Sequence, residues 1–327
     1  VRTWRSLRNG LLSSRRTNRQ TPRPSKPGYR TMLPFTKSSG AFQVLPLEMD
    51  RDYKEIDRLF EAEEWPFIRA DLEVSHAQPR STALVARSGD QMLGFFATHH
   101  FGDIGYLDMM IVSPQARVSH VARKLYFGVT RQMKQNGMKS WVAHSTNDSY
   151  RMFKFMRFKA GQSFTLLAKD PPGEGVESGA LQPLRLGTAD RDLLVELDEQ
   201  VFGIPRVDWI SVLLAQPSTQ FFGQKREGRL LASACVRGRK QNAVCLDAVN
   251  GRSAEDVIPL VDMILAGMAS HRIECFARTD SPLHHHLLEN QFTVPDFFVP
   301  IGPLVEWRKG PTGDVGLSPK VLSLAWF

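Results

Sequence analysis

The chain has 327 residues, 42% of them hydrophobic and 9% aromatic, which is enough apolar material for one large core or two modest ones. Its net charge of +8 is concentrated at one end: ten of the 42 Lys and Arg residues and none of the 34 Asp and Glu residues fall in residues 1–47. The remainder is slightly acidic, which argues against a nucleic-acid partner, and no apolar run approaches the ~18–20 residues of a membrane-spanning helix.

Residues 1–41 are Arg-rich, contain Ser and lack acid, and Trp4, Leu7 and Leu11 share one helical face. That is the make-up of a mitochondrial transit peptide; a plain basic tail, or a cytoplasmic protein translated from Met32, are the alternatives. A strand is expected at 42–47, then an amphipathic helix opened by Asp50 with Ile56, Leu59 and Phe60 on one face, and a second helical stretch around 67–74. Strand-like runs at 82–87, 92–101 and 105–112 are separated by turn signals and read as two consecutive hairpins. A long helix over 119–136 carries the stripe Val121, Leu125, Val129 and Met133 and stops at Gly137. A strand at 140–145, a short helix at 148–157 and a strand at 161–168 follow. Residues 170–180 are rich in Gly, Pro and acid and read as a linker.

Beyond the linker the order begins again. Strands at 181–186, 219–224, 230–237, 243–249 and 273–277 alternate with helices at 190–201, 206–215 and 253–268, and with a short helix capped by Ser281 with Pro282 at its first position. AspArgAsp at 50–52 recurs at 190–192, and Phe292 closes its helix as Phe158 closes the earlier one. Repetition of the whole order implies duplication of a domain: 42–169, then 181–302, with 303–327 as a C-terminal tail. The three cysteines, Cys235, Cys245 and Cys275, lack paired CxxC spacing and read as reduced, partly buried thiols. No metal site is expected, because His284, His285 and His286, consecutive on a helix, point about 100° apart.

The segment Ile111 to Leu125, IVSPQARVSHVARKL, aligns without gaps to a strand ending in Val, then Pro, then RGxGIGRxL. On Val112, Pro114, Arg117, Ala122, Arg123 and Leu125 the chain resembles the GNAT acyltransferase superfamily. The resemblance implies an α/β (α+β) fold: two tandem GNAT folds, each a mixed, mostly antiparallel sheet flanked by helices. It also implies acetyl-CoA, or another acyl-CoA, as cosubstrate, with its pyrophosphate on the backbone amides of Arg117, Val118, Ser119, His120, Val121, Ala122 and Arg123, where a helix N-terminus presents unsatisfied donors. Val118 and His120 stand where the family has Gly. His120 either donates to a phosphate or is simply a helix-start residue. The second half lacks this loop: residues 247–254 read DAVNGRSA. Its DEQVFGIPR segment, with Asp198, Phe202, Gly203 and Arg206, resembles the divergent domain of tandem acetyltransferases.

The resemblance further places an oxyanion-type backbone amide at Met110, Ile111 and Val112. Strand alternation puts Tyr106, Asp108, Met110 and Val112 on one face, with Asp108 the sole carboxylate and a candidate base; His144 is the other candidate. Asn147 either positions substrate and cofactor or caps a helix. The family's usual Tyr acid is replaced by Phe153 in FKFMRF, with Arg157 at the family's Gly, and Tyr150 lies one turn earlier as a substitute. The expected activity is acetyl transfer to a small primary amine. Amino-acid N-acylation resembling glycine N-acyltransferase, or acyl-CoA binding without catalysis, are the alternatives, and oligomeric state is not readable.

Overall fold

The computed structural model describes residues 42–63, 65, 67–117, 120–146, 150–171, 183–296, 298 and 303–310. The basic N-terminal tail, most of the linker, Val118, Ser119 and Asn147 lie outside the described residues. The first half runs β1 (Gln43–Pro46), α1 (Met49–Ala62), α2 (Arg69–Ala77), β2 (Thr82–Ser88), β3 (Gln91–Phe101), β4 (Ile104–Val112), α3 (Val121–Gln135), β5 (Ser140–Ser145), α4 (Tyr150–Phe155) and β6 (Lys159–Lys169). The second repeats that order: β7 (Leu184–Leu186), α5 (Arg191–Phe202), α6 (Val207–Ala215), β8 (Thr219–Arg226), β9 (Arg229–Gly238), β10 (Ala243–Gly251), α7 (Ala254–Gly267), β11 (Arg272–Arg278), α8 (Pro282–Glu289) and β12 (Leu304–Lys309).

Each helix forms for a local reason. α1 buries Ile56 and Phe60 and carries Asp50 and Asp52 in its first turn, where carboxylates favour the helix dipole. α3 buries the stripe Val121, Leu125, Val129 and Met133. Ser253 and Ser281 cap α7 and α8 by accepting from the backbone N–H groups of Asp256 and His284.

All twelve strands join one sheet in the order β1-β2-β3-β4-β5-β12-β6-β11-β10-β9-β8-β7. The two halves exchange their last strands. β12 lies antiparallel between β5 and β6, while β6 pairs on its other edge with β11 of the second half. The segment expected to be a C-terminal tail therefore contains a central strand. Trp307 fixes it there: the indole is 1% exposed, stacks on Phe153 at 5.3 Å, meets Tyr150 edge-on at 5.0 Å and donates Nε1–H to Ser145 Oγ at 2.8 Å.

The DEQVFGIPR segment serves packing between the halves. Arg206 forks onto Asp198 in a buried pair, and its guanidinium lies 3.9 Å from the Phe202 ring centroid and 5.3 Å from that of Phe101 on β3. Asn250 donates to the same carboxylate at 3.0 Å.

β4 and β10 carry matched bulges. Thr98 opposes Leu107 and Phe96 opposes Met110, so one extra residue is accommodated on β4; Cys235 opposes Asp247 and Ser233 opposes Asn250, giving the same offset on β10. This corrects the expectation of one continuous face on β4. An inserted residue reverses the alternation: Leu107 and Val112, of opposite parity, both pack toward α3, whereas Met109 and Ile111 pack toward α1.

Candidate active site

β4 and β5 are parallel and hydrogen-bonded only from Ile104–Leu107 to Ser140–Ala143. Past that point the strands part, and a cavity of about 960 Å³ passes through the gap. Asp108 and Met110 line it from β4, His144 and Ser145 from β5, and Thr146 just beyond. On one side of the sheet its wall is Ala122, Arg123, Tyr126 and Phe127 of α3 with Met152, Phe153 and Phe155 of α4. On the other side the wall comes from the α1–α2 connection (Trp65, Phe67) and from the second half.

The start of α3 is built on a left-handed residue. His120 has φ 62°, the region that favours glycine, and its carbonyl accepts Lys124 N–H at 3.0 Å. The first-turn N–H groups of Val121, Ala122 and Arg123 have no intrahelical acceptor and provide anion-binding donors. Arg157, after α4, likewise has φ 62°. Of the residues that replace the resemblance's glycines, His120 and Arg157 keep a glycine-like backbone, and Val118 lies outside the described residues.

The Asp108 side chain is fully buried, with Oδ2 3.2 Å from His99 Nδ1 on β3 and Oδ1 unpartnered. Burial, aided by the nearby Asp71 carboxylate, holds its proton affinity well above the usual carboxylate range. The Ser75 hydroxyl lies close enough to lower it in part but falls short of a hydrogen bond. Burial also pushes His99 well below the usual histidine range, helped by His100 and Arg206. Burial therefore disfavours the charged form of both members of the pair. Burial, with Arg308 nearby, takes His144 down to about 3, so its imidazole is neutral, and its Nε2 is buried without a hydrogen-bond partner.

The structure thus brings Asp108, Met110, Ala122, Arg123 and His144 to one cavity. Among the described residues, the remaining candidates lie outside its wall. Ile111, Val112 and Val121 are core residues. Arg117 points back, donating Nε–H to the Val112 carbonyl at 3.3 Å and pairing with Glu63. Tyr150 packs against Trp307, with Lys154 Nζ 4.6 Å from its ring centroid, and is outside the cavity wall, as is His120.

Sequence reasoning missed His99, whose pairing with Asp108 depends on cross-strand register. It also missed the buried quartet of Asp71, Arg237, Arg239 and Asp247. Arg239 reaches Asp71 Oδ1 at 2.9 Å and Asp247 Oδ2 at 3.3 Å, joining α2 of the first half to β9 and β10 of the second. The one sequence signal was ArgGlyArgLys at 237–240, too basic for a strand end that is buried without partners.

A mixed sheet parted between two parallel strands, with a helix N-terminus beside the gap, defines a mixed α/β fold. Residues 48–158 form a domain of the acetyltransferase (GNAT) family, whose chemistry is acyl transfer and whose members generally use acetyl-CoA. No curated protein matches the chain. Among solved structures, the chain is similar to a candidate acetyltransferase of Pyrococcus horikoshii, at 12% identity and TM-score 0.66, covering 92% of this chain and 99% of that one. It is similar to a tandem GNAT protein of the clavulanic acid biosynthesis pathway, at 14% identity and TM-score 0.58, covering 85% and 100%. A GCN5-related N-acetyltransferase from Sphaerobacter thermophilus, at 11% identity and TM-score 0.54, covers 82% and 95%. At these identities the likeness is one of fold, and it spans both halves.

Proposed function

We propose that this protein is an N-acetyltransferase that moves an acetyl group from acetyl-CoA to a primary amine held at the β4–β5 gap. The observation that carries the reading is the pair of buried, unpartnered polar atoms, Asp108 Oδ1 and His144 Nε2, lining one cavity. Uncompensated buried polar atoms are costly and are retained where a ligand completes them.

The residues present fit acetyl-CoA. The first-turn N–H groups of α3 and the Arg123 guanidinium suit its phosphates, and the apolar wall of Tyr126, Phe127, Met152 and Phe155 suits its pantetheine arm. Bound there, acetyl-CoA supplies an acyl group activated as a thioester. Met110, alone of Met110, Ile111 and Val112 in lining the cavity, offers the backbone N–H nearest the gap. Asp108, once ionised, accepts a proton from the incoming ammonium, and His99 holds the receiving carboxyl by its other oxygen. His144 Nε2, neutral, accepts an N–H of the amine and fixes its approach. Phe153 stacks on Trp307 in the core, so the leaving thiolate meets no side-chain acid from α4. That feature also favours the second reading, acyl-CoA binding without catalysis.

The test combines thermal shift with release of free thiol. Acetyl-CoA is expected to raise the melting temperature and to yield thiol with a suitable amine. Asp108→Asn should keep the stabilisation but lower turnover by about 10² to 10⁴. No stabilisation at millimolar acetyl-CoA would sink the proposal; stabilisation without thiol release across an amine panel would favour the binding-only reading.

A further inference from the structure

The cavity is electrically divided. Its cations, Arg123, Arg157 and Lys309, stand at the α3–α4 end, with Lys309 Nζ 5.5 Å from the Phe158 ring centroid. The far chamber is walled by the second half: Cys245, Glu274 and Phe276 from β10 and β11, with Phe298 and Arg239 beside them. Phe276 and Phe298 meet edge-on, 5.7 Å between centroids, giving that chamber an aromatic surface.

The chamber's wall offers no spare positive charge among the described residues. Arg239 and Arg237 are matched by Asp71 and Asp247, all four buried. Glu274 takes Arg272 Nε–H on Oε1 at 2.9 Å, and Arg272 also pairs with Asp170, so that group of three is left with a net negative charge. A carboxylate brought into this chamber would lose its hydration with nothing to replace it, whereas an ammonium would be drawn in and a hydrocarbon body would pack on the rings.

We infer that the chamber is the acceptor's specificity pocket, and that it selects primary amines carried on an aromatic or other hydrocarbon body without a carboxylate, excluding amino acids. This rests on the N-acyltransferase reading above and deepens it. Phe276 is its specificity-determining residue.

The experiment is steady-state thiol release with acetyl-CoA and four acceptors: 2-phenylethylamine, ethylamine, phenylalanine and glycine. kcat/KM for phenylethylamine is expected to exceed those for phenylalanine and glycine by about 10²-fold or more. Phe276→Ala should lower the phenylethylamine value by about 10- to 100-fold while ethylamine changes by less than about 3-fold; Phe276→Leu, milder for folding, should fall between. Phenylalanine or glycine used as well as phenylethylamine, or a Phe276 variant that affects both simple amines equally, overturns the inference and leaves acyl transfer standing. If no amine releases thiol, the acyltransfer reading fails, and the pocket is judged by calorimetric binding alone. Phenylethylamine must then bind at least about 10-fold tighter than phenylalanine and lose that margin in Phe276→Ala, or the inference falls too.

Discussion

His120 and Arg157 hold left-handed backbone without glycine's freedom, a conformation costing roughly 1 kcal/mol at each side-chain-bearing residue. His120→Gly and Arg157→Gly should each raise stability by up to about 1 kcal/mol, read as a higher denaturation midpoint, and His120→Gly should also tighten acetyl-CoA binding by opening the approach to the α3 amides. Unchanged midpoints would mean that the surrounding loops relax around these residues. Asp108 and His144 titrate with opposite signs. The folded state keeps the Asp108 proton above 3.8, where the unfolded chain has released it, so the stability this group contributes is full below that value and drains as pH rises. Asp108→Asn should therefore gain melting temperature over wild type by more at pH 8 than at pH 5. His144 stays neutral down to about 3 while the unfolded chain protonates near 6.5, so its contribution is full above 6.5 and is lost as pH falls toward 3. His144→Gln should flatten part of the acid decline in melting temperature, the rest belonging to His99, which has the same sign. Asp108 and His144 were legible as candidates because strand order brought them together. His99 was not, since its distance to Asp108 is set by pairing across the hairpin.

At the scale of elements, periodicity was a good guide wherever one face of a helix or strand is buried. The α3 stripe and the β5 limits follow directly from it. It failed at the β4 bulge, because an extra residue leaves composition unchanged while reversing every side chain beyond it. It failed again at β12. β6 follows α4 almost at once, whereas β12 follows α8 after a long connection and pairs with strands of the other half, so the repeat offered no place to look for it. Trp307→Ala should test its weight: removing a buried indole from between Phe153 and Ser145 should cost about 3–5 kcal/mol by denaturant unfolding. A cost below about 1 kcal/mol would show that β12 is dispensable to the first half's core.

For the whole molecule, the two halves are one sheet and share a buried charge quartet, so neither has a complete boundary of its own. Breaking the quartet with Arg239→Met leaves Asp71 and Asp247 undercompensated and should destabilise the chain by about 3–5 kcal/mol, with a single unfolding transition retained by calorimetry. Two separate transitions would mean that the halves unfold independently despite the exchange. The repeated order of elements was legible, and in the structure the matched helices each end in a left-handed residue and a buried Phe, Arg157 with Phe158 and Gln291 with Phe292. The exchange of strands was not, because nothing in a repeated sequence says which copy a strand will join.

That exchange has a consequence in time. During synthesis the residues that frame the gap, through β5, emerge early, but their neighbour in the sheet is Leu304–Lys309 and is translated much later. Until then the edge of β5 lacks its native partner, an exposure open to non-native strand pairing. It also makes the site a reporter of completeness: a polypeptide interrupted between β6 and β12 has every cavity residue of the first half and still cannot close the sheet around them.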